Sequence, residues 1–346
     1  MKKLFALIMG IMVIVALSGC GEEKPVLKVY NAGEYIDTSL LSDFEKENGC
    51  KVIYETFDSN ESMYTKVMSG ERYDVLIPSD YMIERLSKEG FLMEIDKSKI
   101  TNYDGIVKSI LAQPFDEENA FSVPYFWGSV GILYDKTQVS KEDINTGWNV
   151  LKNPKYKDNI YMYDSERDSF MIALKNLGYS LNTADKAELD AAYNWLVEQK
   201  EIMSPVYVGD EVIDSMISGN KAMAIVYSGD AAYIMSENEN MEYIEPQDGT
   251  NLWIDGMVIM KESEEIDLAH KFIDFMLRPQ NALRNSETVG YTSSVQSVFD
   301  ELKETVYSEN GAYVPRQGYQ NDEFFRYQDA TTKKYCAELW TKVKAQ

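Results

Sequence analysis

The strongest constraint on the fold is an alternation of short apolar runs and helix-period segments between positions 26 and 90. Residues 26–30 read as a strand. Residues 38–48 then repeat apolar side chains at Leu40, Leu41 and Phe44 and stop at Gly49, a natural helix terminator. Residues 50–57 form a second strand-like run, followed by a helical pattern over 61–68. Val75, Leu76 and Ile77 are wholly apolar between Asp74 and Pro78, as in a strand buried on both faces. A third helical pattern over 80–89 ends at Gly90. Such a series predicts a mostly parallel sheet with helices on both sides.

The same grammar returns in the middle of the chain. Residues 160–163 read as a strand, 169–176 as a helix ending before Gly178, and 184–200 as a long amphipathic helix carrying Leu189, Tyr193, Trp195, Leu196 and Val197. Residues 211–218 are helical, and 222–226 form an apolar strand that runs into Tyr227-Ser228-Gly229-Asp230. No short repeat, low-complexity tract or flexible linker interrupts the pattern. About 325 residues beyond the leader exceed the usual extent of one hydrophobic core. Two α/β halves without a linker imply strand crossovers between them, which form a natural hinge.

The N-terminus bears on compartment. Lys2 and Lys3 precede an apolar run over 4–17 that is short for a membrane span and has the flanks of a secretory leader. It ends in Leu17-Ser18-Gly19-Cys20, which resembles the lipobox of bacterial lipoproteins. That resemblance implies cleavage after residue 19 and acylation of Cys20, anchoring the chain to a membrane surface without spanning it. An ordinary leader with a chance cysteine is the alternative. Loss of Lys2 and Lys3 with the leader takes the formal charge from −23 to −25. An acidic balance of this size argues against nucleic acid and anionic lipid as partners and permits a cationic ligand. Cys50 and Cys336 are expected as buried free thiols, with a disulfide as the alternative. His270 is the single histidine; it reads as part of a helix surface, which removes His-rich metal sites and makes His-dependent triads improbable. No metal or cofactor is expected.

In open α/β sheets, ligands bind beyond the carboxyl ends of the strands. The junctions here share a composition. Glu34 and Tyr35 follow the first strand, and Ser79, Asp80 and Tyr81 follow the third. Asp164, Ser165, Glu166, Arg167 and Asp168 follow the strand at 160–163, and Tyr227 and Asp230 follow the strand at 222–226. Trp253 and Asp255, two residues apart, share one face of a strand. Helix capping would explain Asp80, Asp164 or Asp230 taken singly. The tyrosines and Trp253 could be aromatics at the rim of a core, and Arg167 between acids reads as a structural ion-pair partner. The recurrence of aromatic plus acid suits a flexible organic cation. Rings cover methylenes and attract ammonium groups, at about 0.5–2 kcal/mol each, while carboxylates fix the charged ends. A linear polyamine fits that chemistry.

At these residues the sequence closely resembles the spermidine/putrescine-binding proteins of bacterial polyamine ABC transporters. The likeness runs over essentially the whole chain beyond the leader. It is carried by "YETFDSNESMYTKV" (54–67), "YDVLIPSDY" (73–81), "IDKSKI" (95–100), "SVPYFWGSVGILY" (122–134), "NLWIDGM" (251–257) and "ETVGYTSS" (287–294). The fold it implies is the two-lobed type II periplasmic binding protein, an α/β architecture with a hinge and a ligand cleft between lobes. The implied division is 1–19 as leader, 26–130 plus about 254–300 as one lobe, and 131–253 plus about 301–346 as the other. The resemblance implies polyamine contacts from Glu34 and Tyr35, from Ser79 and Tyr81, from Asp168, from Tyr227 and Asp230, from Trp253 and Asp255, and from Tyr291 and Gln320. The chain departs from the family pattern at Ala32, where a tryptophan is common, at Gly33, at Ser165, and at Tyr227, another usual tryptophan.

The expected role is therefore a lipid-anchored, extracytoplasmic binding subunit, monomeric and without catalytic activity. It would deliver a polyamine to a membrane permease driven by a cytosolic ATPase. A binding protein for another organic cation or small metabolite, a ligand-sensing subunit, and a secreted hydrolase using paired acids such as Asp164 and Asp168 are the competing readings. Against the hydrolase, the sequence has no Gly-x-Ser-x-Gly motif and no metal cluster.

Overall fold

A computed structural model describes residues 24–209 and 211–346; the leader and Cys20 lie outside the described residues. Among these, eleven strands form one continuous sheet. They are β1 (Val26–Ala32), β2 (Lys51–Phe57), β3 (Val75–Leu76), β4 (Ser122–Asp135), β5 (Ile160–Tyr163), β6 (Val206–Val208), β7 (Met223–Tyr227), β8 (Met241–Ile244), β9 (Asn251–Ile259), β10 (Thr292–Ser293) and β11 (Glu323–Phe324). The main order is β2-β1-β3-β9-β4-β7-β5-β6, with β8 and β10 paired to β4 and β11 to β9.

The sheet is mixed, and this corrects the expectation of a mostly parallel one. β1 lies parallel to β2 and β3, and β5 parallel to β6 and β7. At the centre, however, β9 runs antiparallel to β3 and β4, and β4 antiparallel to β7 and β8. The cause is β4, fourteen residues long and buried throughout. Its first part, through Ser129, pairs with β9; from Val130 onward its partners are β7 and β8. One strand thus passes between two sets of parallel strands, and a strand buried on every side shows no alternation that sequence could reveal.

The flanking helices follow local rules. The helix Ser39–Asn48 ends at Gly49, whose φ of 64° is the left-handed turn that glycine adopts without steric cost. The helices Asp80–Lys88, Glu166–Asn176 and Ser228–Glu237 start directly after β3, β5 and β7. Their N-termini lie at the carboxyl ends of those strands. His270, expected on a helix surface, is instead buried: its Nε2 accepts the Asp96 N–H at 3.0 Å and its Nδ1 lies 2.8 Å from the Ile266 carbonyl. Cys50 and Cys336 are buried free thiols. No helix among the described residues is long and apolar enough to cross a membrane.

Candidate ligand-binding site

The strand-to-helix junctions converge on β4 and β9 through a run of aromatic rings. Tyr35, just beyond β1, packs edge-on against Tyr291, with ring centroids 5.6 Å apart. Tyr291 meets Trp253 of β9 at 5.4 Å, Trp253 meets Tyr227 at 6.2 Å, and Tyr227 meets Tyr163 at 5.1 Å. Edge-to-face geometry, preferred by the ring quadrupoles, holds along the whole run. Two glycines allow it. A Cβ on Gly229 would stand 2.1 Å from the Tyr291 ring, and one on Gly128 would stand 2.4 Å from the Trp253 indole. The Trp253 indole N–H donates to the Ser129 carbonyl at 3.3 Å, where β4 changes partners.

Three of these tyrosines each donate to a carboxylate. Tyr35 bonds Asp255 Oδ2 at 2.7 Å, Tyr227 bonds Asp168 Oδ2 at 2.9 Å, and Tyr291 bonds Asp230 Oδ1 at 2.8 Å. Asp168 stands in the first turn of its helix, its N–H donating to Ser165 Oγ at 3.3 Å. Ser79 forms an antiparallel bridge to Asp255, and its hydroxyl accepts from Asn60 Nδ2 at 3.0 Å. Of the eleven residues expected to line a cleft, Tyr35, Ser79, Tyr81, Asp168, Tyr227, Asp230, Trp253, Asp255 and Tyr291 are buried or half-buried. Glu34 and Gln320 are both exposed. Glu34 has a φ of 51°, a left-handed turn between β1 and Tyr35. Gln320 lies between Tyr319 and Asn321, which both donate to the Gln247 carbonyl.

Two acids that could have been plain helix caps are not. Ser79, not Asp80, is the N-cap. Asp80 is buried: its Oδ1 accepts the Tyr81 N–H at 2.6 Å and its Oδ2 the Ile254 N–H at 3.4 Å, which ties the helix to β9. Asp164 pairs with Lys344 of the C-terminal helix at 2.7 Å, and Ser165 caps instead. Arg167, expected as an ion-pair partner, is one: it meets Glu61, which was not expected at the site, at 3.0 Å beside Tyr81. Nothing in their local sequence marks that meeting, because it joins residues 106 positions apart.

The electrostatics of the site follow from burial. Desolvation raises the carboxyls of Asp168 and Asp255 above the ordinary aspartate range. The polar groups of Ser165 and Tyr227 beside Asp168, and of Ser79 and Tyr35 beside Asp255, oppose that rise. Burial holds Asp80 far higher, with the neighbouring Asp255 charge adding to it. Neither Asp168 nor Asp255 makes an ion pair among the described residues, and Asp255 Oδ1 is buried without a hydrogen-bond donor. A buried carboxylate oxygen in that state attracts an ammonium group strongly. Among the described residues no group of three or more His, Cys, Asp or Glu is placed to hold a metal ion.

A family model described as bacterial extracellular solute-binding protein matches residues 39–313. The chain is 33% identical over 328 residues to the spermidine/putrescine-binding periplasmic protein of Escherichia coli, covering 94% of this chain and 93% of that protein. Among solved structures, it resembles the spermidine/putrescine ABC transporter substrate-binding protein PotD of Streptococcus pneumoniae, with a TM-score of 0.81 and 38% identity over 93% of this chain and 99% of that one. It also resembles the PotD lipoprotein of Treponema pallidum, with a TM-score of 0.79 and 25% identity over 93% and 100% of the two chains.

Proposed function

Because the chain belongs to the family of bacterial extracellular solute-binding proteins, transport components rather than enzymes, we propose that it captures a linear polyamine, spermidine or putrescine, for an ABC transporter. The observation that carries this reading is Asp255. One of its oxygens is held by Tyr35 and the other is buried with no donor, at the end of a run of rings that begins beside Asp168. Two buried acids separated by aromatic faces suit two ammonium ends joined by methylenes. The names of the relatives point to the same ligand class.

The ligand contacts in this reading are Tyr35, Ser79, Tyr81, Asp168, Tyr227, Asp230, Trp253, Asp255 and Tyr291. Glu34 and Gln320 would reach the ligand only from the exposed margin. The lobes would be 26–130 with about 254–300, and 131–253 with about 301–346. The exchange of β4 partners after Ser129 supports a hinge there. The chain works as a monomer held on the extracytoplasmic side of the cell membrane by a lipid on Cys20, and it hands its ligand to a permease with a cytosolic ATPase. The lipobox-like Leu17-Ser18-Gly19-Cys20 supports the anchor.

Calorimetric and thermal-shift titration with putrescine, spermidine, spermine and a non-amine control tests the reading. Ligand at about 100 times Kd adds about 2.7 kcal/mol to stability. No response to any of the three amines would sink it.

A further inference from the structure

One face of Tyr81 is already covered. The Arg167 guanidinium lies 3.5 Å from the ring centroid and donates to Glu61 Oε1 at 3.0 Å. The Tyr81 hydroxyl lies 3.4 and 3.3 Å from the two Glu61 oxygens, and Lys333 Nζ stands 3.6 Å from Glu61 Oε1. These groups come from distant parts of the sheet. Glu61 is on the helix Asn60–Met68 after β2, and Tyr81 is on the helix after β3. Arg167 is on the helix after β5, beyond the β4 exchange, and directly precedes Asp168. Its side chain is 23% exposed. A guanidinium largely withdrawn from water gains more from a ring face and a carboxylate than an exposed one does.

Resting on the polyamine reading above, we propose that Arg167 is a positioning residue for ligand capture. Stacked on Tyr81 and paired with Glu61, it ties the helix that carries Asp168 to the half that carries Tyr81 and Ser79, and so sets how firmly closure holds the ligand. In this proposal the contact is made when the two sets of strands face each other as they do here and is broken when they part. Its free energy therefore adds to closure and to retention of whatever the cleft encloses. The Glu61 and Glu166 carboxylates offset the charges of Arg167 and Lys333, so the clasp does not repel a cationic ligand through the Tyr81 ring. Lysine could keep the charge pair but not the flat stacking.

Putrescine and spermidine affinity and release rate, measured on the full chain at low and high salt, test this in Arg167→Gln, Arg167→Lys, Glu61→Gln and the double exchange Arg167→Glu with Glu61→Arg. Arg167→Gln should bind about 3- to 30-fold more weakly, mainly through faster release and with less salt dependence. Arg167→Lys should fall between it and the unaltered chain, and the exchange should recover part of the loss. Equal losses in all four variants together with a lowered unfolding temperature without ligand would indicate a purely structural role and overturn the proposal. An unaltered chain that binds no polyamine would overturn the parent reading. Normal binding by that chain with unchanged affinity in Arg167→Gln would overturn this inference alone.

Discussion

Tyr35 and Asp255 are 220 positions apart in sequence and joined by a 2.7 Å hydrogen bond. The tyrosine leaves the end of β1, and the aspartate stands in the middle of β9. Their bond holds one carboxylate oxygen in place and leaves the other, Oδ1, buried without a donor. The site therefore has a fixed acceptor waiting for a charged donor, which makes Asp255 the most sensitive point at which to test the proposed function.

Asp255→Asn should reduce polyamine affinity by about 2–5 kcal/mol, the usual cost of removing one partner of a buried charged pair. The same substitution removes a buried carboxylate that has no cationic partner in the ligand-free chain. Its unfolding temperature without ligand should therefore hold steady or rise. Calorimetry and thermal unfolding on the same preparation check both halves. Normal affinity would show that the amine is held elsewhere.

Tyr35→Phe keeps the ring contacts with Tyr125, Phe126 and Tyr291 but removes the hydroxyl. It should weaken binding by about 1.5–3 kcal/mol, the range for hydrogen bonds to charged groups. It should also raise the Asp255 carboxyl further, because the lost bond favours the ionised form. A pH titration of binding would then move to higher pH. An unmoved profile would separate Tyr35 from Asp255 in function.

Gly229→Ala is a conservative change within a helix, yet its new methyl would stand 2.1 Å from the Tyr291 ring. The ring must swing away, which breaks its bond to Asp230 and opens its contact with Trp253. Overpacking of this kind costs about 1–3 kcal/mol. Affinity should fall along with stability, and the tyrosine's near-UV signal should change on substitution. Equal affinity in the alanine variant would mean that the Tyr291 ring does not touch ligand.

Binding should tighten as pH rises above the ordinary aspartate value of about 3.9. Burial raises Asp168 and Asp255, so their protonated forms favour the ligand-free folded chain. That contribution is fully present at low pH and is lost as pH climbs through the raised values. An ammonium ligand pairs with the ionised forms and releases the protons on binding. Ligand-induced thermal shifts should grow as pH rises from the ordinary aspartate value of about 3.9 towards neutrality, and calorimetric heats at the lower end should depend on the buffer. A flat response over that range would contradict the assignment of these two acids.

Cys20→Ala should release the protein from the membrane fraction of expressing cells, and intact mass of the unaltered chain should carry the acyl groups. Polyamine binding by the released variant should be unchanged, because every proposed contact lies at or beyond residue 34. Retention of Cys20→Ala on membranes would place the anchor elsewhere.

Much of the architecture was legible because its signals are local. Helical period, a terminal glycine such as Gly49 and an apolar triplet such as Val75-Leu76-Ile77 are decided within a few residues. Trp253 and Asp255 could be placed on one face because a strand alternates every two residues. The direction of β4 was not legible, since a strand buried over its whole length shows no alternation. Glu34 and Tyr35 looked equivalent in sequence. A left-handed φ at Glu34 leaves its carboxylate exposed while Tyr35 is buried. His270 falls on a pattern that reads as helix surface, yet in the fold it is buried and accepts the Asp96 N–H from a segment 174 positions away.

The sequence by itself determined the alternating elements and the acid-plus-aromatic composition of the junctions, on which the proposed ligand class rests. These depend on short-range periodicity and on the chemistry of side chains. Only the tertiary structure decided which acid meets which tyrosine and which acid is left with a buried free oxygen. It also brought Arg167 onto Tyr81 rather than leaving it among its acidic sequence neighbours. Those pairings join residues 59 to 220 positions apart. The passage of β4 from one set of strands to the other brings them together, and that geometry is a property of the whole sheet.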